Sequence, residues 1–263
     1  MAFPYFARLG IQRTTILAMA LQICSFNTDT VRLALNDGWR LANATRAVSI
    51  AYSLLFVAGG LAIMGGLLAL GRAPFLIAAA GAFMLVGPAI LAGFFGIASS
   101  LEGGGRPGFG SVAAGFAKAA PAVWALALVC GLLFMIFITD AAILYAYMVG
   151  AAPVWLADLI PAAAGVIGFV IWAAISGFVV ALLLFCISAF SVPLLCERRA
   201  GLVEAVVTSV RVVFGNFVPA IWWAFLLSTA TIASVLLLPL LPMTLPWLAY
   251  ASRALYRRVL PPG

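Results

Sequence analysis

A chain of 263 residues that is 66% hydrophobic and only 8% charged lacks the surface chemistry of a soluble globule, which is about a quarter charged. Its net charge of +7 arises from 13 arginines and one lysine against seven acids. These cations stand at the ends of apolar runs, where they set orientation and meet anionic headgroups; they form no soluble basic face, so no nucleic-acid partner is expected. The absence of histidine removes a Ser-His-Asp triad and any histidine ligand for haem or copper, and the four cysteines show no C-x-x-C spacing. No catalytic residue, cofactor or metal is therefore expected, and the chain is read as not an enzyme.

Arg8 and Arg13 precede an apolar stretch at 16–24 that partly imitates a secretory signal. No small-x-small cleavage site follows, and Ile23 stands where a lipoprotein signal wants a small residue. Residues 1–27 are read as an N-terminal extension, with Met19 as an alternative start. Thr28 or Thr30 is expected to cap an amphipathic helix over about 30–45. Val31, Leu35, Trp39 and Ala42 form its apolar side, with Arg32, Asn36, Arg40 and Asn43 opposite.

The spacing then predicts membrane helices over about 47–70, 75–99, 121–148, 162–194 and 217–238, and a short or re-entrant segment over 240–257. Only about 20 apolar residues are needed to cross the hydrocarbon core. Between Asp158 and Glu197 the chain runs 38 residues without a charge, and between Arg211 and Arg253 another 41. At about 1.5 Å per residue the helix at 162–194 exceeds the membrane thickness and must tilt, protrude or break near Pro193. Further interfacial helices are expected at about 108–118 and 200–214, the latter with Val203, Val206, Val207, Val210, Val213 and Phe214 on one face. An amphipathic helix thus precedes an apolar pair three times, beginning near 28, 108 and 200, and Pro121-Ala122-Val123-Trp124 is echoed by Pro219-Ala220-Ile221-Trp222, which suggests an internal repeat.

The fold class expected is all-α: a polytopic transmembrane bundle of five to six membrane helices with interfacial amphipathic helices, forming one domain over 28–263. With the N-terminus cytoplasmic, ten cations fall inside and only Arg72 outside, which orients the chain in the cell inner membrane. Arg253, Arg257 and Arg258 should then lie inside as well. Residues 212–252 allow about 62 Å of helix, scarcely two crossings, so a shallow final hairpin turning at 239–246 is expected, against a five-span alternative.

The ordered set Pro193-Leu194-Leu195, Ala205-Val206-Val207-Thr208-Ser209-Val210-Arg211, Asn216-Phe217-Val218-Pro219 and Trp222 resembles an uncharacterised bacterial inner-membrane family, the domain-of-unknown-function 2189 family. Asp37-Gly38-Trp39-Arg40, Leu85-Val86-Gly87-Pro88 and the closing Trp247, Tyr250 and Arg253 extend the resemblance over roughly 30–258. Family members often carry histidines around the final tryptophan, and this chain has none. The resemblance implies a membrane fold with unknown activity, and no metal or haem role through those histidines can transfer.

Three constellations are candidates for function. Asp140 is the acid deepest in an apolar run, costly in lipid unless paired, hydrated or protonated. It could relay protons or bind a cation, or it could bond Thr139 or the hydroxyls of Ser228, Thr229, Thr231 or Ser234. Gly87-Pro88 interrupts the second span beside Ala89, Ala92, Gly93 and Gly96, either exposing carbonyls to a substrate or allowing close packing on Gly59, Gly60, Gly65 and Gly66. Thr208 and Arg211, with Ser209 and Asn216, could hold a phosphate or lipid headgroup, or serve as a cap and interfacial anchor. Two functions follow: a non-catalytic accessory, assembly or scaffolding component, whose partners are the lipid bilayer and a membrane protein or a second copy; or a small-solute channel or transporter.

Overall fold

Asn27, in extended backbone, opens the first helix. Its side chain accepts from Thr30 N–H at 2.9 Å while Thr30 Oγ1 accepts from Asn27 N–H at 3.4 Å. This reciprocal box moves the cap one residue before the expected Thr28 and makes Thr30 its partner. The computed structural model describes residues 23–76, 79, 87–119, 121–150 and 164–261. In order they form α1 (Thr28–Ala44), α2 (Arg46–Ala69), a 3-10 turn at Ala73–Phe75, α3 (Gly87–Glu102), α4 (Phe109–Lys118), α5 (Pro121–Met148) and α6 (Ala164–Ser188). Then follow α7 (Ser191–Cys196), α8 (Leu202–Gly215), α9 (Phe217–Leu236), a 3-10 turn at Leu238–Leu240 and α10 (Leu241–Val259). No strand occurs among the described residues.

Among the described residues, four stretches are long and apolar enough to cross a bilayer: Arg46–Ala69, Pro121–Met148, Val166–Cys196 and Phe217–Leu236. The second expected span falls partly on residues 77–78 and 80–86, outside the described residues; its latter part is the shorter apolar helix Ile90–Glu102. Among the described residues, the amphipathic helices α1, α4 and α8 are followed by the apolar helices α2, α5 and α9, but only α5 is followed by a second candidate span. Trp124 and Trp222, at matching places in α5 and α9, are both about half exposed.

The long apolar segment at 164–196 does break, at Ala189–Phe190, and Ser209 of α8 sits in the gap. Its hydroxyl accepts from Phe190 N–H at 3.2 Å and donates to the Cys186 carbonyl at 2.8 Å. It thereby bridges the two groups that a continuous helix would have joined directly. Pro193 lies in the following turn and has no N–H to offer residue 189.

Interfacial helices are covered by protein more than their periodicity suggested. In α1 the buried residues are Val31, Ala34, Gly38 and Ala42, and they pack on α10. Gly38 marks the crossing: a Cβ there would stand 2.6 Å from the Ala251 backbone nitrogen. Trp39 remains 43% exposed, edge-on to Trp247 at 5.8 Å, and Trp247 donates its indole N–H to the Leu35 carbonyl at 2.9 Å. In α8 the buried face is Ala205, Thr208, Ser209, Val212 and Val213, whereas Val203, Val207 and Phe214 point outward, Val203 being 75% exposed. The helix therefore buries Val212 and Val213 with its small and hydroxylated side chains and turns Val203, Val207 and Phe214 outward, and Ser209 reaches backbone groups of the broken span.

Among the described residues, the expected match between the small residues of the second span and the glycines of the first does not form. A Cβ at Gly93 would strike the Tyr52 ring, and the close crossing at Gly96 is with Gly115 of α4. In α2, Gly59, Gly65 and Gly66 have no such neighbour among the described residues, and Gly60 faces Leu238. The cause is Tyr52, whose ring stands edge-on to Phe94 at 5.0 Å and fills the space between the two helices.

α10 turns back at Leu237–Leu240 and runs beside α1 and α2. Leu238 meets α2 at Gly60, Tyr250 meets Ser49 near its start, and the Val259 carbonyl accepts from Cys24 N–H at 2.9 Å. The chain's C-terminal arginines thus lie at the same end of the bundle as Arg46, Glu102, Lys118 and Glu197. The turn comes slightly earlier than expected, and Pro246 is taken into α10.

Candidate functional site

Glu102 closes α3, Glu197 follows α7, and Arg253 and Arg257 stand one turn apart on α10, on a single helical face. Arg253 donates NH1 to Glu102 Oε1 at 2.6 Å and NH2 to Oε2 at 2.9 Å, a two-pronged pair, with a further bond to Ser99 Oγ at 3.3 Å. Arg257 donates NH1 to Glu102 Oε1 at 2.9 Å, and its Nε and NH2 to Glu197 Oε1 at 3.2 and 3.1 Å. Arg253 is only 3% exposed and lies over the Phe95 ring at 5.8 Å. Its Nε has no hydrogen bond; the nearest carboxylate oxygen, Glu197 Oε1, is 3.6 Å away. A last pair, Arg258 to Asp37 at 2.5 Å, ties α10 to α1.

These groups polarise one another. Partial burial works to raise the Glu102 carboxyl, but the hydrogen bonds and charges of Arg253 and Arg257 outweigh it and hold the group below the usual carboxylate value. Burial also pushes up the phenol of Tyr256, and the neighbouring Glu197 charge adds to the effect. Charge-assisted, bidentate bonds on a buried arginine are the strong kind, and removing one partner leaves a buried charge uncompensated.

Beside this clasp lies a cleft of about 240 Å³ lined by Ala92, Phe95, Gly96, Ser99, Gly115, Lys118, Cys196, Glu197, Arg199 and Arg257. Its rim is shaped by the turn after α7. Arg198 has φ +53, a left-handed conformation that costs a side-chain-bearing residue about 1–2 kcal/mol. Arg199 N–H closes the turn on the Leu194 carbonyl at 2.9 Å. The turn sends two guanidinium groups in different directions. Arg198 donates Nε to the Lys118 carbonyl at 2.7 Å, capping the C-terminus of α4. Arg199 donates to Tyr256 Oη at 2.8 Å and to the carbonyls of Leu260 and Pro261 at 2.6 and 2.7 Å, fastening the end of α10.

The residues singled out in the sequence are not brought together. Asp140 lies on the exposed side of α5, and no hydrogen bond or ion pair joins it to another described residue. The hydroxyls offered to it turn elsewhere: Thr139 donates to the Met135 carbonyl at 2.8 Å and Ser234 to Ala230 at 2.5 Å. Gly87 and Pro88 occupy the first turn of α3, where proline fits, and the residues before them lie outside the described set. Thr208 is buried, Arg211 is exposed, and their supposed co-ligands serve the fold. Ser209 bridges the helix break, while Asn216 accepts from Phe26 N–H at 3.1 Å and donates to Val212 at 3.2 Å.

Glu102, Glu197, Arg199, Arg253 and Arg257 were absent from the sequence candidates. A signal did exist: Glu102 and Glu197 stand at the C-terminal ends of apolar helices, and two of the C-terminal arginines are spaced four apart. Among the described residues no group of three or more cysteines and acids could hold a metal ion.

Long apolar helices with all but two of the described charged residues at one end define a multi-pass integral membrane protein. Residues 75–197 match the model of the family described as "Predicted integral membrane protein (DUF2189)". That segment runs from the turn before α3 through Glu197, so it holds the cleft's α3, α4 and α7 walls but not α10. No curated protein and no solved structure matches the chain.

Proposed function

We propose that this protein is a non-catalytic accessory, assembly or scaffolding component of the cell inner membrane, with its charged end and N-terminus facing the cytoplasm. The observation that carries the reading is Asp140, exposed on the outer side of α5 among Leu132, Met135, Ile136, Ile143 and Tyr147, all themselves exposed. A carboxylate facing hydrocarbon costs about 2.5–3.5 kcal/mol near the middle of a span and less toward its end. A partner helix presenting a basic or hydrogen-bonding side chain would remove that cost. The charged residues at the other end pair with one another across α1, α3, α7 and α10, which supports a rigid body holding a docking face. The channel or transporter reading draws less support, because Asp140 stands on the exposed side of α5 with no hydrogen bond or ion pair to another described residue.

Purification of the full chain in mild detergent, followed by native gel and mass spectrometry, tests the proposal. A defined complex is expected, about tenfold weaker for Asp140→Asn. A monomer unchanged by the substitution, together with proteoliposome solute flux that Asp140→Asn abolishes, would replace scaffolding with transport.

A further inference from the structure

The charges around the cleft do not balance. Glu102 and Glu197 are matched by Arg253 and Arg257, and Asp37 by Arg258. Lys118, Arg198 and Arg199 have no carboxylate partner among the described residues. Arg198 and Arg199 donate to carbonyls and a phenol, which satisfy their N–H groups without cancelling their charge. The Lys118 ammonium has no hydrogen-bond partner among the described residues. Lys118 and Arg199 line the cleft with Ser99 and Arg257, and Arg198 stands beside them on the Lys118 carbonyl. The opposite wall is apolar and smooth, made by Ala92, Phe95, Gly96 and Gly115.

We infer that this cleft binds a phosphoryl anion, with Lys118 and Arg199 as its principal cations and Ser99 as a hydroxyl contact. A phosphoryl group has several anionic oxygens to share among an ammonium, a guanidinium and a hydroxyl. The volume of about 240 Å³ equals the liquid share of about eight waters, enough for such a group and the start of an ester substituent. The apolar wall suits that substituent. The same chemistry is offered by an anionic phospholipid headgroup and by a free phosphate. The site is separate from Thr208 and Arg211, whose neighbouring polar side chains are committed to internal backbone groups.

Native mass spectrometry of the detergent-solubilised full chain distinguishes the sources, with phosphatidylglycerol, phosphatidylcholine and inorganic phosphate each titrated in turn. Lys118→Glu is the informative variant because its ammonium holds nothing in the fold. Arg106→Glu, an exposed site on the α3–α4 loop, controls for general surface charge. Preferential retention of phosphatidylglycerol over phosphatidylcholine, weakened about tenfold by Lys118→Glu, identifies a lipid headgroup. Inorganic phosphate binding that Lys118→Glu abolishes identifies a soluble phosphate. The inference is overturned if phosphatidylglycerol and phosphatidylcholine bind alike and phosphate does not bind. It is equally overturned if Lys118→Glu leaves binding unchanged or Arg106→Glu weakens it as much.

Discussion

α10 and the long apolar segment at 166–196 invert what a soluble protein would do. α10 carries three arginines and is enclosed by α1, α2, α3 and α9, with Tyr250, Leu255 and Tyr256 almost wholly buried. The segment at 166–196 is far more apolar, yet only 11% of its most hydropathic window is buried. In a bilayer an apolar side chain gains little by moving from lipid to protein, whereas a polar one must find a partner. Burial here follows the need for partners. The helix with most to satisfy is placed where Glu102, Glu197, Asp37 and the hydroxyls of Thr45 and Ser49 can meet it.

That contrast is broken most severely by removing a partner of Arg253. Glu102→Ala leaves a buried guanidinium with the Ser99 hydroxyl at 3.3 Å and, as its nearest carboxylate, Glu197 at 3.6 Å, and the expected loss is about 3 kcal/mol, read from denaturant unfolding in detergent. Ser209→Ala comes next. It strips the bridge from Phe190 N–H and the Cys186 carbonyl, both in buried residues, and should cost about 2 kcal/mol, with faster amide exchange at 189–191.

Acid has a smaller effect through Glu102. Its carboxyl is held below the ordinary value of 4.5, so its contribution is complete above that pH and is lost as pH falls through the lower folded value. Because its side chain is 44% exposed, the loss should be about 1 kcal/mol or less, absent in Glu102→Gln and visible as a pH-dependent melting shift. Ile175→Ala should do least. Ile175 is half exposed on α6, and a change below about 0.5 kcal/mol in thermal unfolding would confirm that the apolar segment at 166–196 contributes little per exposed residue.

The spans were legible because each is a long run without charge, and the amphipathic helices because their polar residues recur with helical period. What covered those faces was not legible. Periodicity records that Val31, Ala34, Gly38 and Ala42 share a side, but Gly38 against Ala251 is a contact across the whole sequence. The clasp was hidden for the same reason, since Glu102 and Arg253 are 151 positions apart. In α8 the helical period gathers valines on one face for the membrane interface, but it does not reveal that Ala205, Thr208, Ser209, Val212 and Val213 pack inward, with the Ser209 hydroxyl meeting the broken span. The hairpin at the C-terminus was legible from two constraints acting together, the surplus of cations and the density of prolines.

The central claim is that α10 returns to the charged end and is fastened there to α1. Paired cysteines test it directly: Asp37→Cys with Arg258→Cys, in a Cys24→Ser background, treated in membranes with a short bismaleimide. The account predicts rapid cross-linking within one chain, seen as a mobility shift that is independent of protein concentration. It also predicts none when Arg72→Cys, at the other end of the bundle, replaces Asp37→Cys. Failure of the 37–258 pair to react, or cross-linking that appears only between chains, would contradict it.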